Sequence, residues 1–552
     1  MPLVFIVHQV SKALPFETKL NPMNRLNSHS CALAVVAFLA AVLTSCGGPK
    51  PTGDAEVLGS GEQADVLVHA DWTKNATIYE VNVRQHTPEG TFNALIPDLP
   101  RLKELGVDIL WLMPVHPIGE VNRKGGENAN NYIVEPGSSS LGSPYSVQDY
   151  YAINPDYGTL EDFQRFVDEA HALGLRVILD WVANHSAFDC VWTESHKGYY
   201  LLDSLGNLQP PLGTDWWDVA QFDWENGVDN GLYAGMADAL VHWVEDHGVD
   251  GYRCDVAMKV PTSFWEMARR QLEAVNPDVF MLAEAEEPEH HNRAFDMSYG
   301  WHFHHLTNQV AQGKEPVQVL RDYVSEEAGR FATDAYRMGF ITNHDENSWN
   351  GTVEERYGDA GDAMAVLAGT LLDMPLVYSG QESFNRDRLR FFEKDTVKWG
   401  SYDKADFYRT LNELNHTREA LWNGDFGGAP QLLNTSADES VFAFYKQKGE
   451  STVVVVLNFS SEHQTVKLVL PEAELTPVMG TSMSPAGRQA RTWPLTATRS
   501  SPRRRKVHHI PAWGCGVSLA HGNEARCVDC PRRQKGRLGG LRAGPSRLVQ
   551  DP

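Results

Sequence analysis

The sequence predicts an α/β protein built on a (β/α)8 TIM barrel, with a short excursion domain after the third strand and a C-terminal antiparallel β-sandwich domain. Three observations lead to this prediction. From Asp71 onward, short apolar runs of β type alternate with amphipathic helical stretches, as in βα units around a parallel sheet. Residues 184–230 form a segment rich in Trp, Asp and Gly that is too long for an ordinary barrel loop. After about Phe426 the pattern becomes that of antiparallel strands, as over residues 441–445 and 452–458.

Eight runs have the composition and length of buried strands, and each is followed by a helix-like segment. This number favours a closed barrel over an open sheet. One helix start is well marked, because Thr159 precedes Asp162 at capping-box spacing, Phe163 and Phe166 follow at helical intervals, and Gly174 ends the run. The predicted strands are residues 76–81, 107–113, 176–180, 251–255, 280–284, 295–297, 339–345 and 374–378.

These patterns divide the chain into a barrel over residues 71–425, with the excursion at 184–230, and a C-terminal β domain over residues 426–520. The last segment, residues 521–552, is basic and nearly devoid of apolar pattern, so we predict a disordered tail. Residues 487–506 are dense in Arg, Ser, Thr and Pro, and a local disruption of the reading frame is an alternative interpretation there.

The N-terminus has the features of an export signal. Arg25 precedes an apolar run over residues 31–43 that has the length of a signal h-region and is too short to span a bilayer. The run ends in Leu-Thr-Ser-Cys46, which resembles the lipobox of bacterial lipoproteins. We therefore predict a signal peptide over residues 1–46, lipidation of Cys46, and a flexible tether over residues 47–70. The protein would then be exported and anchored to a bacterial membrane through lipid alone; an ordinary signal peptide is the alternative.

Composition limits the classes of ligand. The formal net charge of −24 argues against a nucleic-acid partner, because a phosphate backbone would be repelled, and it suits a neutral ligand such as a sugar. Of the seven cysteines, only Cys190 and Cys254 lie in the main body of the chain, and we predict that both are free thiols.

Four predicted strands end in a carboxylate: Asp180, Asp255, Glu284 and Asp345. In a parallel barrel the strand ends meet at one mouth, where catalytic groups lie. Clustered carboxylates repel each other, so their convergence indicates a function. Glycoside cleavage needs such a set, since one carboxylate attacks the anomeric carbon while a protonated one donates to the leaving oxygen. Metal chelation is the competing use, but no pair of histidines at i, i+4 spacing accompanies these acids.

The order of the motifs resembles that of the α-amylase family, glycoside hydrolase family 13. The resemblance covers residues 71–425 and includes two flanking segments, around Tyr145-Ser-Val-Gln-Asp149 and Met374-Pro-Leu-Val-Tyr. The four motifs that match the family's sequence regions, in order, are Asp-Trp-Val-Ala-Asn-His185, Gly-Tyr-Arg-Cys-Asp255, Leu-Ala-Glu284 and Asn-His-Asp345.

The resemblance implies a role for each matched residue. Asp255 would be the nucleophile, Glu284 the general acid/base and Asp345 the stabiliser of the transition state. Arg253, two residues before Asp255 and so on the same side of the strand, would keep the nucleophile ionised. The implied substrate-binding residues are His185 and His344, which would bind sugar hydroxyls, Tyr145, which would stack on the sugar, and Asp180, a hydrogen-bonding support.

The chain also departs from the family pattern. Met258-Lys259 stands where many α-amylases have a Lys-His pair, which puts the usual leaving-group contacts in doubt. Asn184 matches a calcium ligand of the family, and a hydrogen-bonding asparagine is the alternative. The resemblance requires no cofactor for the chemistry and leaves a structural calcium ion as the one candidate.

The resemblance implies a retaining hydrolase that cleaves α-1,4-glucosidic bonds of starch-type glucans or maltodextrins. A glucan-modifying transglycosylase, of the branching or 4-α-glucanotransferase type, uses the same carboxylates and stays open as an alternative. A non-catalytic glucan-binding lipoprotein is a third hypothesis, but it has no chemical use for the complete set of acids.

Overall fold

The computed structural model describes residues 66–125, 132–133, 140–471, 476–480, 506–510 and 515–520. The predicted signal peptide, most of the tether, the lipidation site Cys46 and the basic tail at 521–552 lie outside the described residues. Among the helices of the described part, none has both the length and the apolar character needed to cross a membrane.

The strands and helices follow the predicted alternation. The strands of the described residues are, in chain order, β1 (Ile78–Val81), β2 (Ile109–Leu112), β3 (Lys124–Gly125), β4 (Tyr132–Ile133), β5 (Arg176–Trp181), β6 (His185–Ala187), β7 (Val219–Gln221), β8 (Gly251–Cys254), β9 (Phe280–Ala283), β10 (Met297–Tyr299), β11 (Tyr336–Gly339), β12 (Met374–Tyr378), β13 (Gln431–Leu432), β14 (Val441–Lys448), β15 (Ser451–Asn458), β16 (Gln464–Leu468), β17 (Thr476–Gly480), β18 (Lys506–Ile510) and β19 (Cys515–Ala520). The α-helices of the same residues are α1 (Val83–His86), α2 (Phe92–Leu95), α3 (Leu99–Glu104), α4 (Leu160–Ala172), α5 (Val191–Ser195), α6 (Leu232–His247), α7 (Thr262–Val275), α8 (Trp301–Ala311), α9 (Gln318–Glu327), α10 (Val353–Tyr357), α11 (Gly361–Leu371) and α12 (Ala405–Thr417).

Eight parallel strands close into a barrel in the order β1-β12-β11-β10-β9-β8-β5-β2, which confirms the predicted fold class. Apolar side chains such as Ile109, Ile178 and Met338 fill its interior. The outer faces of the strands pack on the helices in a second core, to which Phe163 and Phe166 of α4 belong. That helix begins as predicted, with a capping box between Thr159 and Asp162.

The seventh barrel strand was placed wrongly by the sequence, which assigned residues 339–345 to it. The strand is β11, and it ends at Gly339, where the predicted strand begins. Its first residues pair with β10 and its last two with β12. A side chain at Gly339 would collide with the backbone carbonyl of Ala368 in α11, so the strand ends against this helix. Asp345 therefore does not close a strand: it lies in the following loop, directly before a π-helix over Glu346–Asn350.

The segment assigned to the excursion contains a small antiparallel sheet of β6 and β7 and the short helix α5. Two buried side chains join its base to the barrel. The Trp224 indole donates to the carbonyl of Ala183 at 3.1 Å, and the Tyr150 hydroxyl shares its one proton between the carbonyls of Val182 and His185, at 2.7 and 2.9 Å. These bonds place the base of the excursion beside the end of β5.

The C-terminal region forms a five-stranded antiparallel sheet in the order β13-β14-β15-β19-β17, with a two-stranded sheet of β16 and β18. This confirms the predicted antiparallel β domain. Phe442 and Val453 of the larger sheet belong to the same apolar core as the barrel helices. Arg321 of α9 strengthens the junction, because its guanidinium contacts the Asp438 carboxylate at 2.9 Å. Cys190 and Cys254, predicted to be free thiols, are buried and unpaired.

Candidate active site

Three of the four singled-out carboxylates lie at the carboxyl ends of neighbouring barrel strands. Asp180 belongs to β5, Asp255 directly follows β8, and Glu284 directly follows β9. Adjacent strands lie about 4.7–4.9 Å apart, so the side chains at their ends are brought together by the fold itself. All three are buried, with at most 8% of each residue exposed. This is the placement that the strand-end argument predicts.

The Arg253 guanidinium connects the three carboxylates. Its Nη1 donates to Asp180 at 2.8 Å and to Asp255 at 3.0 Å, and its Nη2 lies 2.7 Å from an oxygen of Glu284. The Nη2 contact is a close ion pair rather than an aligned hydrogen bond. Its Nε donates to the Tyr299 hydroxyl at 3.2 Å. The predicted contact between Arg253 and Asp255 is therefore present. The same fully buried guanidinium also contacts the carboxylates of Asp180 and Glu284.

Burial and mutual repulsion set the proton content of the carboxyl pair. Burial raises the pKa of Asp255; Arg253 opposes this, and Glu284 and Asp180 add to it. Burial also raises the pKa of Glu284, and Arg253 again opposes the shift. Two carboxyls that share one cation in this way titrate as a pair. Both carboxyls therefore hold their protons to a higher pH than exposed carboxyls do.

Asp180 accepts hydrogen bonds from three side chains. Its Oδ2 accepts from the Trp111 indole at 3.0 Å and from the Tyr145 hydroxyl at 2.9 Å, while Oδ1 accepts from Arg253. Tyr145 also lies parallel to the His344 ring, with 5.4 Å between the ring centroids. The sequence had predicted a sugar-stacking role for Tyr145, and this stays a prediction.

Asp345 lies beside this cluster on the loop after β11. One of its oxygens is 3.4 Å from His344 Nε2, and the other accepts from the Trp349 indole at 3.2 Å. The π-helix that carries Trp349 is held by Glu346, whose carboxylate lies 3.1 Å from His304 Nε2. Sequence reasoning missed Trp349. The motif ends at Asp345, and Trp349 lies four residues further on, in a π-helix, a feature that often marks functional sites.

Glu80 is a second functional candidate that the sequence argument missed. It lies in β1, is fully buried, and its Oε1 is 2.5 Å from His344 Nδ1. The signal was available, because Glu80 is an acidic residue near the end of a barrel strand, like the residues that were singled out. It was overlooked because no motif of the resembled family contains it.

His185 is the first residue of β6 and is placed near the excursion tryptophans. Its ring lies 5.5 Å from that of Trp216, between centroids, and burial lowers the pKa of His185 to about 3, so the imidazole is neutral. The Lys259 ammonium lies 5.6 Å from the Trp216 ring centroid. Trp224, in contrast, is buried against Phe264 and belongs to the core.

The surroundings of Asn184 do not fit a calcium ion. Calcium takes six to eight oxygen ligands, preferably carboxylates. The Asn184 amide is instead paired with the Gln221 amide: Gln221 Nε2 donates to its Oδ1 at 3.0 Å, and its own Nδ2 donates back at 3.4 Å. Within the described part of the chain, no three His, Cys, Asp or Glu side chains are grouped so as to hold a metal. This donor set favours the hydrogen-bonding interpretation of Asn184.

The chain is similar in sequence to known proteins. The family described as alpha amylase, catalytic domain, matches residues 69–231 and 212–429. The chain is 28% identical over 413 residues to alpha-amylase MalA of Haloarcula japonica, covering 72% of this chain and 57% of that protein. It is also 28% identical over 455 residues to alpha-1,4-glucan:maltose-1-phosphate maltosyltransferase 1 of Streptomyces coelicolor, covering 76% of this chain and 64% of that protein. The chain thus spans less than two thirds of the length of these curated relatives.

Solved structures agree with the sequence matches. The fold resembles a noncanonic maltogenic alpha-amylase AmyB from Thermotoga neapolitana, with a TM-score of 0.65, 26% identity, and coverage of 81% of this chain and 96% of that one. An alpha-amylase from Lactobacillus plantarum gives a TM-score of 0.62 at 30% identity, covering 73% of this chain and 92% of that one. With a closed barrel and a family match over more than half of its length, the chain belongs to the alpha-amylase family.

Proposed function

We propose that the protein hydrolyses α-1,4-glucosidic bonds of starch-type glucans or maltodextrins with retention of configuration. The observation that carries this proposal is the sharing of one guanidinium: Arg253 contacts both the expected nucleophile, Asp255, and the expected acid/base, Glu284. Retaining enzymes hold their two carboxyls about 5–5.5 Å apart, closer than inverting ones. Two carboxyls bound to one side chain suit the shorter spacing, which stays a prediction for this pair.

Each group has a defined step in this mechanism. Asp255 attacks the anomeric carbon while Glu284 delivers its proton to the leaving oxygen, and the glycosidic bond breaks. A water molecule then attacks the anomeric carbon, Glu284 takes its proton, and the ester bond to Asp255 breaks. Asp345 offsets the positive charge that develops on the sugar ring. Arg253 holds Asp255 in the ionised form during attack.

A maltosyl transfer reaction is the second candidate. Several relatives are named maltose-1-phosphate maltosyltransferases, and such a reaction would release phosphate from the donor. A phosphate leaving group calls for a nearby cation. Lys259 supplies one beside Trp216, where the resemblance places leaving-group contacts. The non-catalytic binder is the weakest hypothesis, because the nucleophile, the acid/base and Asp345 are all present.

Product analysis separates the candidates. The purified protein is incubated with maltoheptaose alone, and in a second reaction with maltose-1-phosphate and a glucan acceptor. Hydrolysis predicts shorter sugars only, with the α-anomer formed first by NMR. Longer sugars from maltoheptaose indicate disproportionation, and phosphate release that depends on the acceptor indicates maltosyl transfer. An initial β-anomer contradicts retention, and no change in either reaction contradicts catalysis.

The location of the protein is a separate proposal. We expect Cys46→Ala to move the exported protein from the membrane fraction to the soluble exported fraction, because the variant cannot be acylated. Fractionation followed by immunoblotting measures this, and Cys31→Ala, which changes a cysteine outside the lipobox motif, is the control that should stay with the membranes. A Cys46→Ala protein that still sediments with membranes contradicts the lipobox assignment.

A further inference from the structure

The His344 imidazole has a polar partner at each ring nitrogen. Nδ1 lies 2.5 Å from Glu80 Oε1, and Nε2 lies 2.8 Å from the Tyr145 hydroxyl and 3.4 Å from Asp345 Oδ2. The Glu80–His344 pair is buried, since Glu80 has no exposure and His344 has 2%. The His344 ring is thus bound by Glu80 of β1 at Nδ1, and its Nε2 faces Tyr145 and Asp345.

Counting hydrogens fixes the donor at Nε2. The Tyr145 hydroxyl has one proton, and it donates that proton to Asp180 Oδ2 at 2.9 Å. Its oxygen can then only accept from His344, so Nε2 carries a hydrogen. The charge of the imidazole then depends on whether the proton between Nδ1 and Glu80 belongs to Nδ1 or to the carboxyl. A second hydrogen on Nδ1 makes the imidazole a cation that is paired with a carboxylate.

The surrounding charges favour the cation. Burial by itself lowers the pKa of His344, but Asp345 and Glu80 outweigh burial and raise this pKa to about 9, although Arg253 opposes them. Tyr145 faces the same ring and stays protonated, since burial raises the pKa of its hydroxyl. Burial also raises the pKa of Glu80, and a protonated Glu80 would not pair with an imidazolium. His344 opposes this shift.

We propose that Glu80 is a positioning residue: through Nδ1 it fixes the His344 ring and holds the imidazole as a cation whose Nε2–H points toward Tyr145 and Asp345. The role rests on the proposed function, in which His344 binds a sugar hydroxyl beside the reacting bond. A cation there also offsets part of the repulsion among the carboxylates of the site. With neutral His344 and a free ring orientation, both the hydroxyl contact and this compensation would weaken.

The kinetic test is the alkaline limb of the pH profile. In the wild-type protein, two groups contribute to the alkaline limb of kcat/KM on maltoheptaose: Glu284, which must hold a proton to act as the acid, and His344, which loses its charge as the pH rises through about 9. In Glu80→Gln the limb should move to lower pH by one unit or more, since the neutral amide does not hold the imidazolium. The matched control is Glu382→Gln, because Glu382 is also fully buried but bonds to Tyr79 and Arg101 instead. Its limb should stay at the wild-type position.

A spectroscopic test needs neither activity nor a folded variant at Glu80. In wild-type protein labelled with 15N-histidine, the His344 resonance is assigned by its loss in His344→Gln and then titrated. The proposal predicts both ring nitrogens protonated at pH 7 and a midpoint near 9. A midpoint near 6.5 overturns it, as does a Glu80→Gln limb that coincides with the wild type. If the protein has no hydrolase activity but His344 still titrates near pH 9, the proposed function is contradicted and the pairing of Glu80 with His344 is supported.

Discussion

Asp255→Asn is expected to lower kcat on maltoheptaose by on the order of 10³-fold or more, because an amide does not form the glycosyl ester that the retaining mechanism requires. KM should change much less, since the neighbouring contacts to the sugar remain. The fold should survive, because asparagine has nearly the same shape and its amide oxygen still accepts from Arg253 Nη1. Measuring kcat, KM and the thermal midpoint on the same preparation tests these three statements together.

The control for this variant is Asp168→Asn on the exposed side of α4, where the carboxylate accepts from Gln164. Its kinetics should match the wild type. An Asp255→Asn protein that keeps a tenth of the wild-type kcat rejects the nucleophile assignment. A complete loss of activity together with a thermal midpoint far below that of the control would show misfolding instead, and Glu284→Gln would then provide the second test of the pair.

The barrel and its acidic mouth were predictable because they depend on local patterns. Strand alternation and strand ends are encoded within a few residues, and parallel strands bring their carboxyl ends to one edge whatever the loops do. Asp180, Asp255 and Glu284 were found in this way, and Arg253 followed from the two-residue period of a strand. The motif order added the roles but was not needed for the placement.

The remaining parts of the site depend on contacts between distant segments, which local patterns do not encode. Glu80 and His344 are 264 residues apart in sequence, and their pairing requires β1 and the loop after β11 to meet at the closed barrel. Trp349 is a different case: it lies four residues after Asp345, and it was missed because the matched motif ends at Asp345. The amide pair of Asn184 and Gln221 joins residues that are 37 positions apart in sequence, so local patterns did not predict it.

Arg253→Met is expected to reduce the free energy of unfolding by on the order of 3–5 kcal/mol, because removing one partner leaves buried carboxylates uncompensated. Methionine fills a similar volume, so the loss reports charge rather than a cavity. Arg253 lowers the pKa of both Asp255 and Glu284 against burial, and without it both should rise further. In the wild type both folded-state pKa values already lie above the unfolded values, and without Arg253 they should exceed them further. The native state then binds more protons, so the gain in stability as the pH falls toward about 5 should be larger in Arg253→Met than in the wild type.

Urea unfolding of Arg253→Met at pH 5 and pH 8 measures both effects, with Arg253→Lys as the matched variant. Lysine keeps the charge, but its compact ammonium does not bridge three carboxylates as the planar guanidinium does. The Lys variant should therefore lose less stability than the Met variant and show a smaller gain at pH 5, while both lose most of their turnover. An Arg253→Met protein with wild-type stability at pH 8 would mean that the carboxylates are compensated by groups other than this guanidinium. Equal stability of the Met variant at both pH values would show that Asp255 and Glu284 do not take up protons when the cation is removed.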